Sequence, residues 1–152
     1  MIQRIQTLYL LGIVALMTTS LFAPIATFTI NGYDYVLTAF SLSGPLGSES
    51  TLWMGIIMAI TALLPLITIF LYRNRQLQVR LCGAEAVLLI GSLVLIALYY
   101  WLSSRFFEDV AIDHKQFGWA APMPIVSLIL VYLAGRAIFK DEVLVRSLDR
   151  IR

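Results

Sequence analysis

Residues 52–72 read LWMGIIMAITALLPLITIFLY, twenty-one positions without a single charged side chain, held between Glu49 and Arg73. A helix needs about 20 mostly apolar residues to cross a hydrocarbon layer about 30 Å thick. Buried helices of water-soluble proteins rarely run that far without a charge. Three further stretches repeat the pattern: Ile5 to Ala23 before Pro24, Ala86 to Ser104 between Glu85 and Arg105, and Gly118 to Gly135 between Lys115 and Arg136. Four such runs in 152 residues predict an all-α membrane protein, a bundle of four transmembrane helices over about 5–24, 51–72, 81–104 and 118–139. The chain forms a single integral membrane domain, 1–152.

Composition agrees. Hydrophobic residues make up 60% and charged ones 13%, and mean hydropathy is +0.87. Soluble domains carry about 25% charged residues. With half that supply the chain cannot clothe a water-exposed surface, which excludes an ordinary cytosolic enzyme, a coiled coil and a disordered chain.

Nine of the eleven Lys and Arg residues fall on one side if the N-terminus is cytoplasmic. They are Arg4, then Arg73, Arg75 and Arg80, then Arg136, Lys140, Arg146, Arg150 and Arg152; only Arg105 and Lys115 fall outside. Positive residues in short flanking loops stay cytoplasmic, so both termini are expected inside. Trp53, Tyr99, Tyr100, Trp101 and Trp119 then cluster at the outer interface and Tyr9 and Tyr72 at the inner one, where amphipathic rings anchor a span. The N-terminal run also has the look of a secretory signal. At about 19 residues it exceeds the usual core of about 7–15, and a retained first helix is expected.

Between the first two spans, Asn31-Gly32 lies in an alternating stretch over about 27–38, the strongest short-range hairpin signal because both turn positions need positive φ. A two-residue turn pairs Ile30 with Tyr33, Thr29 with Asp34, Phe28 with Tyr35 and Thr27 with Val36. One face then carries Phe28, Ile30, Tyr33, Tyr35 and Leu37. A lone hairpin is marginal in water, so that face either caps the bundle or, through Phe28, Ile30, Tyr33 and Tyr35, docks a partner. The link 41–48 is rich in turn residues. The second outer loop holds the single His114 beside Asp113 and near Glu108 and Asp109. One imidazole in an acidic loop is expected to be surface rather than a metal site.

Glu85 is the one acid next to a span, about 7–8 Å along its helix from Arg80 at 1.5 Å per residue. An interfacial ion pair of Glu85 with Arg80 or Arg136 is the expected role, in preference to a proton relay, since no deeper acid accompanies it. Over 141–152, Asp141 is placed to cap a short helix. Leu144, Leu148 and Ile151 would share one face, with Arg146, Arg150 and Arg152 opposite, an amphipathic tail for the anionic inner leaflet. No nucleic-acid partner is expected, for want of stacking aromatics. Cys82, the single cysteine, can form no internal disulfide. No phosphate loop, catalytic triad or metal-spaced Cys/His set is present, so no enzyme activity and no cofactor are expected.

The opening Met1-Ile2-Gln3-Arg4-Ile5-Gln6-Thr7, the loop Arg73-Asn74-Arg75-Gln76-Leu77-Gln78 and the closing run from Asp141 to Arg152 resemble the Bacteroidota four-helix membrane-protein family known as domain of unknown function 4293. The resemblance spans essentially the whole chain. It implies a multi-pass protein of the bacterial inner membrane and brings no catalytic residue with it. By topology alone the layout also resembles the claudin-like arrangement, which carries no functional argument. The expected role is a non-enzymatic structural, assembly or accessory subunit of an envelope complex. Its partners would be the lipid bilayer, another membrane or periplasmic protein, or a second copy; the alternative is a small oligomeric transporter or channel.

Overall fold

A computed structural model describes residues 2–45, 47–71, 74–106 and 112–149. The element order is α1 (Ile2–Phe22), β1 (Ala26–Ile30), β2 (Tyr33–Leu37), β3 (Ser41–Gly44), β4 (Gly47–Ser50), α2 (Leu52–Phe70), α3 (Arg75–Phe106), β5 (Ile112–Phe117) and α4 (Met123–Asp149). All four helices are long and apolar enough to cross a membrane. Each packs on two others, α1 on α2 and α4, and α3 on α2 and α4, which closes a four-helix bundle.

The buried positions follow one rule. They are Gln6, Leu10, Ile13, Met17 and Ser20 on α1, and Met54, Gly55, Met58, Thr61, Ala62, Pro65 and Thr68 on α2. On α3 they are Gln78, Cys82, Glu85, Leu89, Ser92, Ile96 and Ser103, and on α4 Pro124, Ser127, Val131, Ala134 and Ile138. Apart from the small neighbours Gly55 and Ala62 and the outlying Ser103, steps of three and four alternate along each helix, an average of 3.5, the period that keeps one seam facing neighbouring helices. The outward positions are apolar, among them Leu8, Leu11, Ile60, Leu63, Ile67, Val87, Ile90, Val94, Ile125 and Ile129. Only 28% to 39% of each apolar window is buried, so most of its side chains face away from the bundle. Most polar side chains of the spans are turned inward instead; Thr18 and Thr19 are exposed, and Thr19 donates its hydroxyl to its own helix at Ala15 O, 2.7 Å away.

The hairpin forms in the expected register, with Ile30 opposite Tyr33, Thr29 opposite Asp34, Phe28 opposite Tyr35 and Thr27 opposite Val36. Asn31 and Gly32 take φ of 51° and 77°, as a type I′ turn requires. The hairpin is part of something larger, an antiparallel five-stranded sheet in the order β4-β3-β2-β1-β5. The link after the hairpin is itself a strand pair, and the second loop supplies β5, paired to β1 from Ala26–Phe117 to Ile30–Ile112.

The sheet is seated on the bundle by side chains and by its own connections. Phe28 is fully buried and meets the Tyr100 ring of α3 at 5.3 Å, and Tyr100 stacks on Phe117 at 4.3 Å. Thr51, at the start of α2, donates its hydroxyl to the Thr38 and Ala39 carbonyls at 3.2 and 3.1 Å. Ser20 donates to Ala120 O at 3.3 Å. Ile25 N donates to Leu37 O and Gly118 N to Ile25 O, both at 2.8 Å. At Gly118 the two chain crossings lie so close that a Cβ would run into the Pro24 carbonyl, which leaves room for no other residue.

The tail differs from expectation. α4 continues without a break from Met123 to Asp149, so no separate helix begins at Asp141. The apolar span and the tail share one helix because nothing between them breaks it: no Gly or Pro occurs from Arg136 to Asp149.

Truncating Phe28 to Ala should cost about 3–5 kcal/mol, the usual range for a fully buried aromatic. Gly118→Ala should lower the melting temperature, while Gly91→Ala, whose Cβ meets nothing within 4 Å, should leave it unchanged. Thermal unfolding in detergent checks all three.

Candidate functional site

Two places hold the candidate residues: the sheet end and the interior seam. At the sheet end the expected docking face is not available. Phe28, Ile30 and Tyr35 are buried, because an apolar hairpin face gains more by covering the bundle than by waiting for a partner. Tyr33 alone of the four is exposed, at 59%. What the sheet does present is its two outer strands: β4, where Gly47, Ser48, Glu49 and Ser50 are all exposed, and β5, where His114, Lys115, Gln116 and Phe117 are exposed. Around that end Trp53, Trp101 and Trp119 stand exposed, and the Arg105 guanidinium lies 4.9 Å from the centre of the Trp101 ring. His114 sits on β5 opposite Thr29. Glu108 and Asp109 lie outside the described residues, as does the side chain of Asp113. Among the described residues no group of three His, Cys, Asp or Glu side chains is arranged to hold a metal ion.

The interior seam is polar where α2 faces α3. Gln78, Glu85 and Ser92 stand seven residues apart on α3, and Thr68 and Thr61 stand seven apart on α2; all five are buried. Gln78 Nε2 donates to the Thr68 carbonyl at 2.9 Å, and the Thr61 and Ser92 hydroxyls lie 3.4 Å apart. Thr61, Thr68 and Ser92 also donate to the carbonyls of Ile57, Leu64 and Leu88, four residues back, at 2.8, 2.9 and 2.9 Å. Pro65 sits in the same stretch of α2 and has no N–H to offer the Thr61 carbonyl. The seam is therefore a file of oxygen atoms, all but one set accounted for.

That set is Glu85. Its side chain is 2% exposed, and neither carboxyl oxygen has a hydrogen-bond partner. The expected ion pair with Arg80 or Arg136 does not form: Arg80 and Arg136 are exposed, whereas Glu85 points into the bundle. Five residues on a helix turn through about 500°, which puts Arg80 on a different face from Glu85. Gln6 Nε2 and Ser127 Oγ are likewise buried without a partner. Of the tail residues, Arg150 and Arg152 lie outside the described residues, and so does the side chain of Arg146.

The seven-residue spacing of Gln78, Glu85 and Ser92 was a signal open to sequence reasoning. Apolar neighbours on every side hid it.

The match to known proteins covers the same extent as the fold. A family model described as Domain of unknown function (DUF4293) matches residues 2–151. The chain belongs to that family. No curated protein matches it. Membership therefore covers the bundle and the sheet together, including both candidate places, and assigns a role to neither.

An unpaired buried polar group costs about 1–3 kcal/mol. Glu85→Met, similar in size and without a polar oxygen, should raise the stability of the purified protein by an amount in that range. Thermal unfolding measures it; a lower melting temperature would mean that the carboxyl has a ligand in the native protein.

Proposed function

We propose that the chain is a multi-pass protein of a bacterial inner membrane with the sheet on the periplasmic side, and that it serves as a non-catalytic accessory or assembly subunit of an envelope complex. The membrane placement is supported by the inverted pattern of the bundle, with large apolar side chains turned outward and most polar ones inward, the reverse of what water would select. The orientation is supported by charge. Arg80, Arg136 and Lys140 are exposed on the half away from the sheet, and among the described residues Arg105 and Lys115 are the only basic ones near it.

The accessory role rests on one observation, the unpaired outer edge of β4, all four of whose residues are exposed. An unpaired strand edge recruits another strand, from a partner or from a second copy. A photo-crosslinking residue in place of Glu49, on that edge, should give one discrete adduct in intact cells, whereas the same residue in place of Ser104 should not. Absence of any Glu49 adduct, together with a monomer in mild detergent, would remove the support for this role.

A second reading, a small transporter or channel, is favoured by the polar file through α2 and α3 with Glu85 in it. Proton or cation flux in proteoliposomes that is lost in Glu85→Gln would favour it over the first.

Topology has its own test. In a Cys82→Ala background, a cysteine at Ser48 should react with a membrane-impermeant maleimide in intact spheroplasts. A cysteine at Lys140 should react only after permeabilisation.

A further inference from the structure

Between α3 and α4, on the outside of the bundle, runs a cleft of about 790 Å³, within the range of about 300–1,000 Å³ typical of small-molecule sites. Gly83, Ala86 and Gly135 keep it open, Leu128 and Phe139 mark its two ends on α4, and Arg136 is the one charged residue in its lining. A Cβ added at Gly83 would meet nothing within 4 Å. Glu85, the nearest acid in the chain to the α3 lining, is turned the other way into the bundle.

Three properties of this cleft converge on one occupant. Leu128 to Phe139 spans roughly 16 Å at 1.5 Å per residue, about one leaflet of a hydrocarbon core about 30 Å thick. Its lining is apolar along that length, as an acyl chain requires. Its charge is confined to the end away from the sheet, where Arg136 in the lining is joined by exposed Arg80 and Lys140 nearby in sequence on the same two helices. A cleft between spans with a basic mouth at the inner surface has the chemistry that selects an anionic lipid headgroup.

We propose that this cleft holds one anionic phospholipid of the inner leaflet, an acyl chain lying against Gly83, Ala86 and Gly135 and the phosphate held by Arg136. This rests on the membrane placement and orientation proposed above. It is independent of whether the sheet edge recruits a partner. The lipid would fill a surface that the helices themselves leave hollow, and its charge requirement would tie the occupied state to the leaflet's composition.

Native mass spectrometry of the purified protein, titrated with phosphatidylglycerol or phosphatidylcholine, tests the proposal. Wild type should retain one phosphatidylglycerol per chain in preference to phosphatidylcholine. Arg136→Gln should weaken phosphatidylglycerol binding roughly fivefold, the share of one basic residue near an anionic surface, and weaken phosphatidylcholine binding less, since choline already neutralises that lipid's phosphate. Gly83→Leu should abolish retention of both lipids while keeping the wild-type melting temperature, because open space receives the new side chain. Equal retention of both lipids by wild type, or unchanged phosphatidylglycerol binding in both variants, would overturn it. A dimer lost in Gly83→Leu without any lipid bound to wild type would also overturn it, the occupant then being a second copy. The maleimide labelling separates the two layers of inference. If Lys140 labels from outside, the orientation falls and the headgroup assignment with it; if labelling is as expected and lipid binding is unselective, the cleft proposal alone falls.

Discussion

A helix surrounded by hydrocarbon has nowhere outside to put a polar side chain, and a bundle of four such helices has one interior to share. The four helices of this chain, long and apolar enough to cross a membrane, fit that constraint through buried positions spaced mainly three and four residues apart. That spacing sends Gln6 and Ser20, Thr61 and Thr68, Gln78, Glu85 and Ser92, and Ser127 to the inside. The pattern that would mark an amphipathic helix in water is here almost invisible, since the positions between are apolar too. The buried set is nonetheless as regular as a coiled-coil seam. Helix pairing, the hydrogen bonds between α2 and α3 and the isolation of Glu85 all follow from it.

The sheet depends on the same register at one remove. Tyr100 lies at the sheet end of α3, and its ring is sandwiched between Phe28 of β1 and Phe117 of β5. Most of the aromatic face predicted for the hairpin is thereby used up in the fold. Phe28, Ile30 and Tyr35, offered by sequence alone as a binding surface, are buried beneath the sheet, while Tyr33, the plain Gly47-Ser48-Glu49-Ser50 edge and residues 114–117 of β5 stay exposed.

How far the sequence could be read depended on how local each feature is. The four apolar runs and the Asn31-Gly32 turn are written within a few residues of themselves, and the hairpin register follows from the turn by counting. β3 and β4 sit on either side of a Gly-Pro-Leu-Gly stretch whose composition reads as link, and what makes them strands is pairing with β2 and with each other. β5 has no pattern of its own; its place is set by β1, far away in the chain. An ion pair of Glu85 with Arg80 follows from distance along the helix but not from angle around it. Arg80 is near in rise but lies off the carboxyl's face.

The pairing of β1 with β5 has a consequence in time. β1 is made before α2, and β5 only after α3, so the growing chain must keep one side of β1 unpaired while two more helices are synthesised. On the orientation proposed above, the sheet is delivered across the bilayer in two instalments, and the first has to wait, exposed, for the second. The stretch from Ile112 to Phe117 covers that side of β1 and becomes the sheet's outer strand in its place. Its pairing joins the first and last parts of the chain at the sheet end.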